Sequence, residues 1–493
     1  MAKNKIEVKE FEEAAFAKWL LGASGALGSV IPKQVEYLAR YCGRLGARAV
    51  VHEAHYVDRH FIDDFALYYS RMLNPPTNAV QRFHVFSTCF SDDDFSRMLE
   101  SSMSSPQASD EVQAGLSREY LGFISIRPVP SAPVGRTVLR KMSDTTEVRR
   151  QIWATSLHDV HLANLNLKID GLAFQQQDVA VGACATAALW SALSRVSRVE
   201  GMRAPTPAEI TEAATRHLLP HGRNLPAAGG LIMPQLSEAI RCCGFAPEAV
   251  RADMCPEVFA VTLHTYLLSG IPVVIGLRGA DEGHAVAAVG FQVDNTAHPL
   301  LEASVPVRSA CLKKLYVHDD RLGPYARAFL EPFSHPQLGE GLLFKIENET
   351  WLVDSALAPV YPKLRLPVRS LIVLADLAND VIEKIVGPQA APDVTVEFCY
   401  QRSGDYLSKL AGRGLGAECA SFLRCIALSR WCAVIRWYLG EEILVDFIYD
   451  TTDILRGRPS LKADLLHGLV CMTPRLSPDF RLLASSLDVP CLG

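Results

Sequence analysis

The amino-acid sequence predicts an α+β protein, and two observations carry that reading. Helical patterns and short strand-like runs are mixed along the whole chain, with no internal repeat and no low-complexity segment. Its 493 residues suffice for roughly two to four domains of about 100–200 residues, each with a core of its own. Apolar side chains make up 49% and charged ones 21%, an ordinary balance for a globular chain. Three regions are expected: a mixed α/β accessory domain over residues 1–150, a central domain over 151–335, and an α+β accessory domain over 336–493.

Taken in order, "EEAAFAKWLLGA" and "PKQVEYLARYCGRLG" have the apolar spacing of helices, "ARAVVHEAHYV" reads as a strand, and "FIDDFALYYSRML" as an amphipathic helix. The Ser-rich stretch "SSMSSPQASDEVQAG", residues 101–115, reads as a polar loop. It leads into "YLGFISIRPVPSAPVGRTVLR", a strand broken by three prolines, which carries Arg127 and Arg136 and is expected to strap one domain to the next. In the central region a glutamine-rich loop precedes a long helix at 183–197. Thr206 and Glu209 are spaced as a capping box for "TPAEITEAATRHL", and Gly244 ends the helix of "MPQLSEAIRCCGF". The strands "HAVAAVGFQV" and "KKLYVHDD" close this region. Beyond it, "GLLFKIENETWLVDSALAPVYPKL" is a strand pair turning at Asn348, "RSLIVLADLANDVIEKIV" a helix, and "CAVIRWYLGEEILVDFIYD" two strands turning at Leu439 and Gly440.

The bulk properties exclude several functions. A net charge of -5 gives no basic field for nucleic acid. The 13 cysteines include no C-x-x-C pair, which removes zinc ribbons and redox dithiols and suits a reducing compartment. The adjacent Cys242 and Cys243 are expected to be helix core. The first dozen residues carry acidic side chains among the basic ones and lack an apolar run, unlike a signal peptide, so a cytoplasmic protein is expected. The uncharged run at 258–277 has the length of a membrane span, but Ser269, Gly270 and Pro272 divide it into an apolar helix and a short strand. No membrane association is expected.

The chemistry concentrates in "QQQDVAVGACATAALWSALSR", residues 175–195. Leu189, Leu193 and Val196 share one helical face, which places Cys184 in the first turn. A thiol there meets the positive end of the helix dipole, which favours its thiolate. The first-turn N–H groups have no partner within the helix and can bind an oxyanion, and a glutamine just upstream can add a side-chain donor. A thiolate needs a base. His284, in "DEGHAVAAVGF", follows a glycine at the start of an apolar strand. An imidazole needs a third group to fix its tautomer. Asp319, which ends the "LYVH" run, is the favoured candidate, with Asp320 as its rival.

The order Gln, Cys, His, Asp resembles papain-like cysteine peptidases, nearest to the bacterial branch that cleaves leader peptides. The resemblance rests on the Cys helix followed by "SGIPVVIGL", "GHAVAAVGF" and "VHDD", and covers about residues 170–325. It implies a papain-like core, a catalytic helix packed on an antiparallel sheet. It also implies a thiol protease, with Cys184 as nucleophile, His284 as base, Asp319 as orienting acid and Gln177 as oxyanion donor; Gln176 is the alternative to Gln177. Such a hydrolase cleaves a peptide or isopeptide bond in a protein or peptide substrate and needs no cofactor. Two other readings use the same residues: a transglutaminase-like acyltransferase, and a catalytically silent papain-like fold used as a binding or regulatory module.

Other polar clusters offer less. His52, Glu53, His55, Asp58 and His60 in "VHEAHYVDRH" miss the H-E-x-x-H spacing and read as a solvated strand end and helix start. His217 and His221 are separated by Pro220, which argues against one continuous helix. No metal site and no nucleotide loop is expected.

Overall fold

The computed structural model describes residues 6–26, 30–144, 150–178, 180–217, 230–253, 256–280, 282–293, 307–308, 312–335, 339–410, 428–452 and 461–466. Helices and antiparallel sheets are combined throughout, an α+β architecture. The first unit contains β1 (Ile6–Glu10), α1 (Glu13–Ala23), α2 (Lys33–Arg44), β2 (Ala49–Tyr56), α3 (Arg59–Leu67) and β3 (Val80–Phe86). It continues with α4 (Asp92–Ser102), α5 (Pro106–Glu119), β4 (Tyr120–Ile126), β5 (Val134–Arg140), β6 (Ser156–Leu162) and β7 (Leu165–Phe174). Its strands run in the order β1-β2-β3-β4-β5-β7-β6.

Two expectations change here. The Ser-rich stretch at 101–115 is largely helical. Ser105 accepts from the Ala108 N–H at 3.1 Å and Pro106 takes the first helical position, so these residues start α5 and do not form a loop. The proline-broken strand is not a strap between domains. It is the β4–β5 hairpin of one sheet, with Pro128, Pro130 and Pro133 in the connection, where no ladder N–H is required. That sheet runs past residue 150 to Phe174.

Within the hairpin, Gly122 has φ +126°, and a Cβ there would lie 2.1 Å from the Val138 carbonyl oxygen. Gly122→Ala is expected to cost about 2–5 kcal/mol in strain and overpacking, read as a lower urea midpoint.

The second unit comprises α6 (Cys184–Val199), α7 (Pro207–Ala214), α8 (Met233–Cys242), β8 (Ala246–Arg251), α9 (Pro256–Leu268) and β9 (Val273–Arg278). After these come β10 (Gly283–Val293), β11 (Leu312–Asp319), β12 (Gly323–His335), β13 (Gly339–Ile346) and β14 (Glu349–Val360). The strand order is β13-β12-β11-β10-β9-β14-β8, and β13 also pairs with β14. The six strands β9 to β14 therefore close into a ring, with β8 added outside β14. The ring extends beyond residue 335, because the strand pair turning at Asn348 completes it. The capping box at Thr206 and Glu209 is formed, and Gly244 follows α8 at φ +84°. The uncharged run becomes α9, a turn and β9, and among the described residues no helix is long and apolar enough to cross a membrane.

The third unit holds α10 (Val368–Val386), β15 (Val394–Arg402), α11 (Ser403–Leu410), β16 (Trp431–Leu439), β17 (Glu442–Asp450) and β18 (Leu461–Leu466), with β15 to β18 in sequential order. One continuous core joins all three units. Helix α6 lies in its middle. Leu189, Leu193 and Val196 are fully buried, and the Trp190 indole N–H donates to His60 Nδ1 at 3.2 Å. The Tyr325 hydroxyl accepts from the Leu172 N–H at 2.8 Å, tying the ring to the first sheet. The Tyr400 N–H donates to Ser269 Oγ at 2.8 Å, tying it to the third.

Candidate active site

The site begins where the first sheet hands the chain to α6. After β7 ends at Phe174, the loop 175–183 is gripped from β5. The Gln176 N–H donates to the Val134 carbonyl (3.1 Å), and Gln176 Oε1 accepts from the Val134 N–H (3.2 Å). The Asp178 carbonyl accepts from the N–H groups of Val181 and Gly182, both at 2.9 Å, folding the loop into a tight turn. Gly182 is required there, because a Cβ would stand 2.7 Å from Thr186 Oγ1. That hydroxyl in turn accepts from the Ala183 N–H at 3.2 Å.

Ala183 is the N-cap, and its methyl offers no oxygen to the first turn. Cys184 thus takes the first helical position, half-buried, with uncapped N–H groups around it.

Helix α6 packs on β9 and β10, and this contact brings the base to the thiol. His284 sits at the start of β10, paired with Leu277 of β9, and is 6% exposed. Its Nε2–H donates to Asp319 Oδ1 at 3.0 Å. The same oxygen accepts from the Arg321 N–H at 2.9 Å, which fixes the carboxylate at the end of β11. With Nε2 engaged, Nδ1 is left for the Cys184 side chain, to which His284 is also hydrogen-bonded.

Burial opposes charge on this imidazole. The hydrogen bonds to Asp319 and Cys184 and the charges of Asp319 and Asp320 outweigh it and raise its pKa to about 10. The unfolded value is 6.5, so the pairing stabilises the fold fully below about pH 6.5 and the contribution fades as pH rises towards 10. The gap in urea midpoint between the wild type and Asp319→Asn is accordingly expected to be widest below pH 6.5 and to narrow steadily up to pH 10.

Cys184, His284 and Asp319 are thus brought together from three elements. Asp320 lies beside them but makes no hydrogen bond to His284 among the described residues. Gln177 is half-buried in the loop before α6 and lines a small cavity with Ala183, without a hydrogen bond among the described residues. Gln176 spends its side-chain oxygen on β5, a structural role. Most residues between β10 and β11, and His221, lie outside the described residues.

Two neighbours escape sequence reasoning. Trp351 of β14 places its ring 5.7 Å from His284, and the Arg321 guanidinium lies over that ring, 5.4 Å from its centroid. Arg127 of the β4–β5 hairpin donates to the carbonyls of Ala132 (2.7 Å) and Gln176 (3.1 Å), and its Nη1 stands 3.8 Å from Asp178 Oδ2. Alternation in β14 puts Trp351 on the buried face, and β9, which pairs with both β14 and β10, sets it against the imidazole.

The remaining polar clusters have structural partners. Asp58 caps α3 through the N–H groups of His60 and Phe61, His52 meets Gln81 Oε1 at 2.8 Å, and Glu53 bridges Arg82 and His84. Cys242 is exposed and Cys243 half-buried, so they are not helix core. The buried face of α8 is Gln235, Leu236, Ala239 and Ile240, and the cysteines fall off it.

No model of a known protein family matches the chain, and no curated protein matches it.

Proposed function

We propose that the chain is a thiol hydrolase of the papain-like kind, cleaving a peptide or isopeptide bond. The observation that carries this reading is the hydrogen-bonded series Cys184, His284, Asp319, with the sulfur at a helix mouth and the imidazole held from behind by a buried carboxylate. The helix packed on antiparallel β9 and β10 matches the layout that the resemblance implies.

In this mechanism the Cys184 thiolate attacks the carbonyl carbon, and the oxygen becomes an oxyanion held by first-turn N–H groups and the Gln177 amide. The imidazolium of His284 gives its Nδ1 proton to the leaving amine, and an acyl-thioester remains. Water then loses a proton to His284, attacks the acyl carbon and releases the acid and the thiol. Asp319 keeps the ring oriented and supports its positive charge throughout. A protein or peptide substrate is the class that the resemblance implies. The free thiols at Cys42, Cys184, Cys399 and Cys432 fit a reducing compartment such as the cytoplasm.

The test is iodoacetamide labelling of the full chain with mass-spectrometric site assignment. Cys184 is expected to react first, ahead of exposed Cys89 and Cys242. Labelling of Cys184 no faster than these two sinks the reading and leaves a silent binding module. Incorporation of a primary amine into a glutamine-containing peptide, in place of hydrolysis, would assign the acyltransferase chemistry.

A further inference from the structure

Asp320 presents a problem that the hydrolase mechanism does not solve. It is 4% exposed, and neither carboxylate oxygen has a hydrogen-bond partner among the described residues. The neighbouring cation gives it no hydrogen bond. Arg321 turns outward, towards Glu282 at 3.4 Å and Glu349 at 3.5 Å. Gln34 reaches only the Asp320 backbone carbonyl, at 3.2 Å. A buried carboxylate without partners is costly, and such an orphan commonly marks the place of an ion or water.

The orphan lies in a cluster. One ligand atom each from His284, Asp319 and Asp320 falls within 4.8 Å of the others, and His284 Nε2 and Asp319 Oδ1 are 3.0 Å apart. Atoms bound at about 2.0–2.2 Å to one tetrahedral ion stand roughly 3.3–3.6 Å from each other, so the cluster is near that spacing already.

We propose that His284, Asp319 and Asp320 form a divalent-cation site that takes Zn²⁺. One imidazole and two carboxylates are the three protein ligands of an open zinc site, with a fourth position for water. Calcium, which takes six to eight oxygens, is poorly served by this set. Binding displaces the proton from His284 Nε2, and the ion replaces the imidazole–carboxylate hydrogen bond. The bound ion therefore holds the imidazole away from proton transfer, and zinc reversibly silences the thiol. That last consequence rests on the hydrolase reading; the site itself does not.

Zinc chloride is titrated calorimetrically into the full chain, and Cys184 alkylation is followed with and without zinc. One tight site is expected, weakened at least about tenfold by Asp320→Asn, the loss that even an outer-shell change produces. Asp320→Ala serves as a second variant should the amide disturb folding. Zinc is expected to slow Cys184 alkylation in the wild type and EDTA to restore it, while Asp320→Asn stays reactive at the same zinc concentration. The double variant Cys242→Ser, Cys243→Ser removes the rival thiol pair and should keep the affinity. Unchanged zinc affinity in both Asp320 variants, or its loss in the double cysteine variant, overturns the site. Zinc affinity that depends on Asp320 together with a sluggish Cys184 would sink the hydrolase reading alone. A reactive Cys184 that bound zinc leaves untouched would overturn the silencing.

Discussion

His284→Ala is expected to slow hydrolysis of a model thioester or peptide substrate by about 10²–10⁴-fold, the range that a positioned general acid–base contributes. The same variant should lower the alkylation rate of Cys184 towards that of Cys89. The size of the effect follows from the surroundings of the ring. His284 is buried between Asp319, Cys184 and Trp351, so water cannot replace it as a proton carrier at the sulfur. Trp351→Ala makes the contrast. It removes no proton-transfer group, and its effect should be smaller, appearing as a looser imidazole and a flatter pH profile. Loss of activity in Trp351→Ala equal to that in His284→Ala would mean that the ring matters for packing rather than for chemistry.

Arg127→Met has the largest expected effect on stability, about 3–5 kcal/mol, read as a shift in urea midpoint. Arg127 is fully buried, and burial lowers its pKa to about 10, which still leaves it charged at neutral pH. Its loss strands the carbonyls of Ala132 and Gln176 and removes the cation facing Asp178, whose pKa burial already raises. Asp64 nearby, pushed up to about 8 by burial, is mostly protonated at pH 7 and takes over little of the charge balance. The loop from Gln175 to Ala183 then keeps the β5 backbone and the Thr211 hydroxyl, which donates to the Val181 carbonyl at 2.9 Å, to hold it. Slower Cys184 alkylation should accompany the lost stability, while α10 and β15 to β17 keep their amide-exchange protection. Unchanged thiol reactivity in a destabilised protein would confine Arg127 to folding.

The contrast between these two variants reflects what a single sequence exposes. Cys184, His284 and Asp319 each end or begin an element, and local signals mark them: an alanine-rich helix start, a glycine before an apolar strand, a strand stopping at an acid. Helices α6 to α9 and the β16–β17 hairpin were legible for the same reason, since periodicity and caps are local. Strands β6 and β7 passed unnoticed inside a stretch read as leading to a glutamine loop. The serines at 101–105 suggested a loop when one of them was a cap. The roles of Arg127 and Trp351 depend on the Val134–Gln176 pairing and on β14 meeting β9, contacts between distant residues that no local pattern records. Domain limits suffered likewise, because sheet membership is decided by partners far along the chain.

The ring formed by β9 to β14 has a mechanical consequence. His284 and Asp319 ride on neighbouring staves of a closed hoop, and neither stave can slide without breaking the register at every other seam. The imidazole and its carboxylate are consequently a fixed anvil. The sulfur belongs to a helix fastened from outside the hoop, through a loop clamped by the first sheet. An effector that does not bind the imidazole or its carboxylates must act on that clamp, tilting the hammer while the anvil stays still.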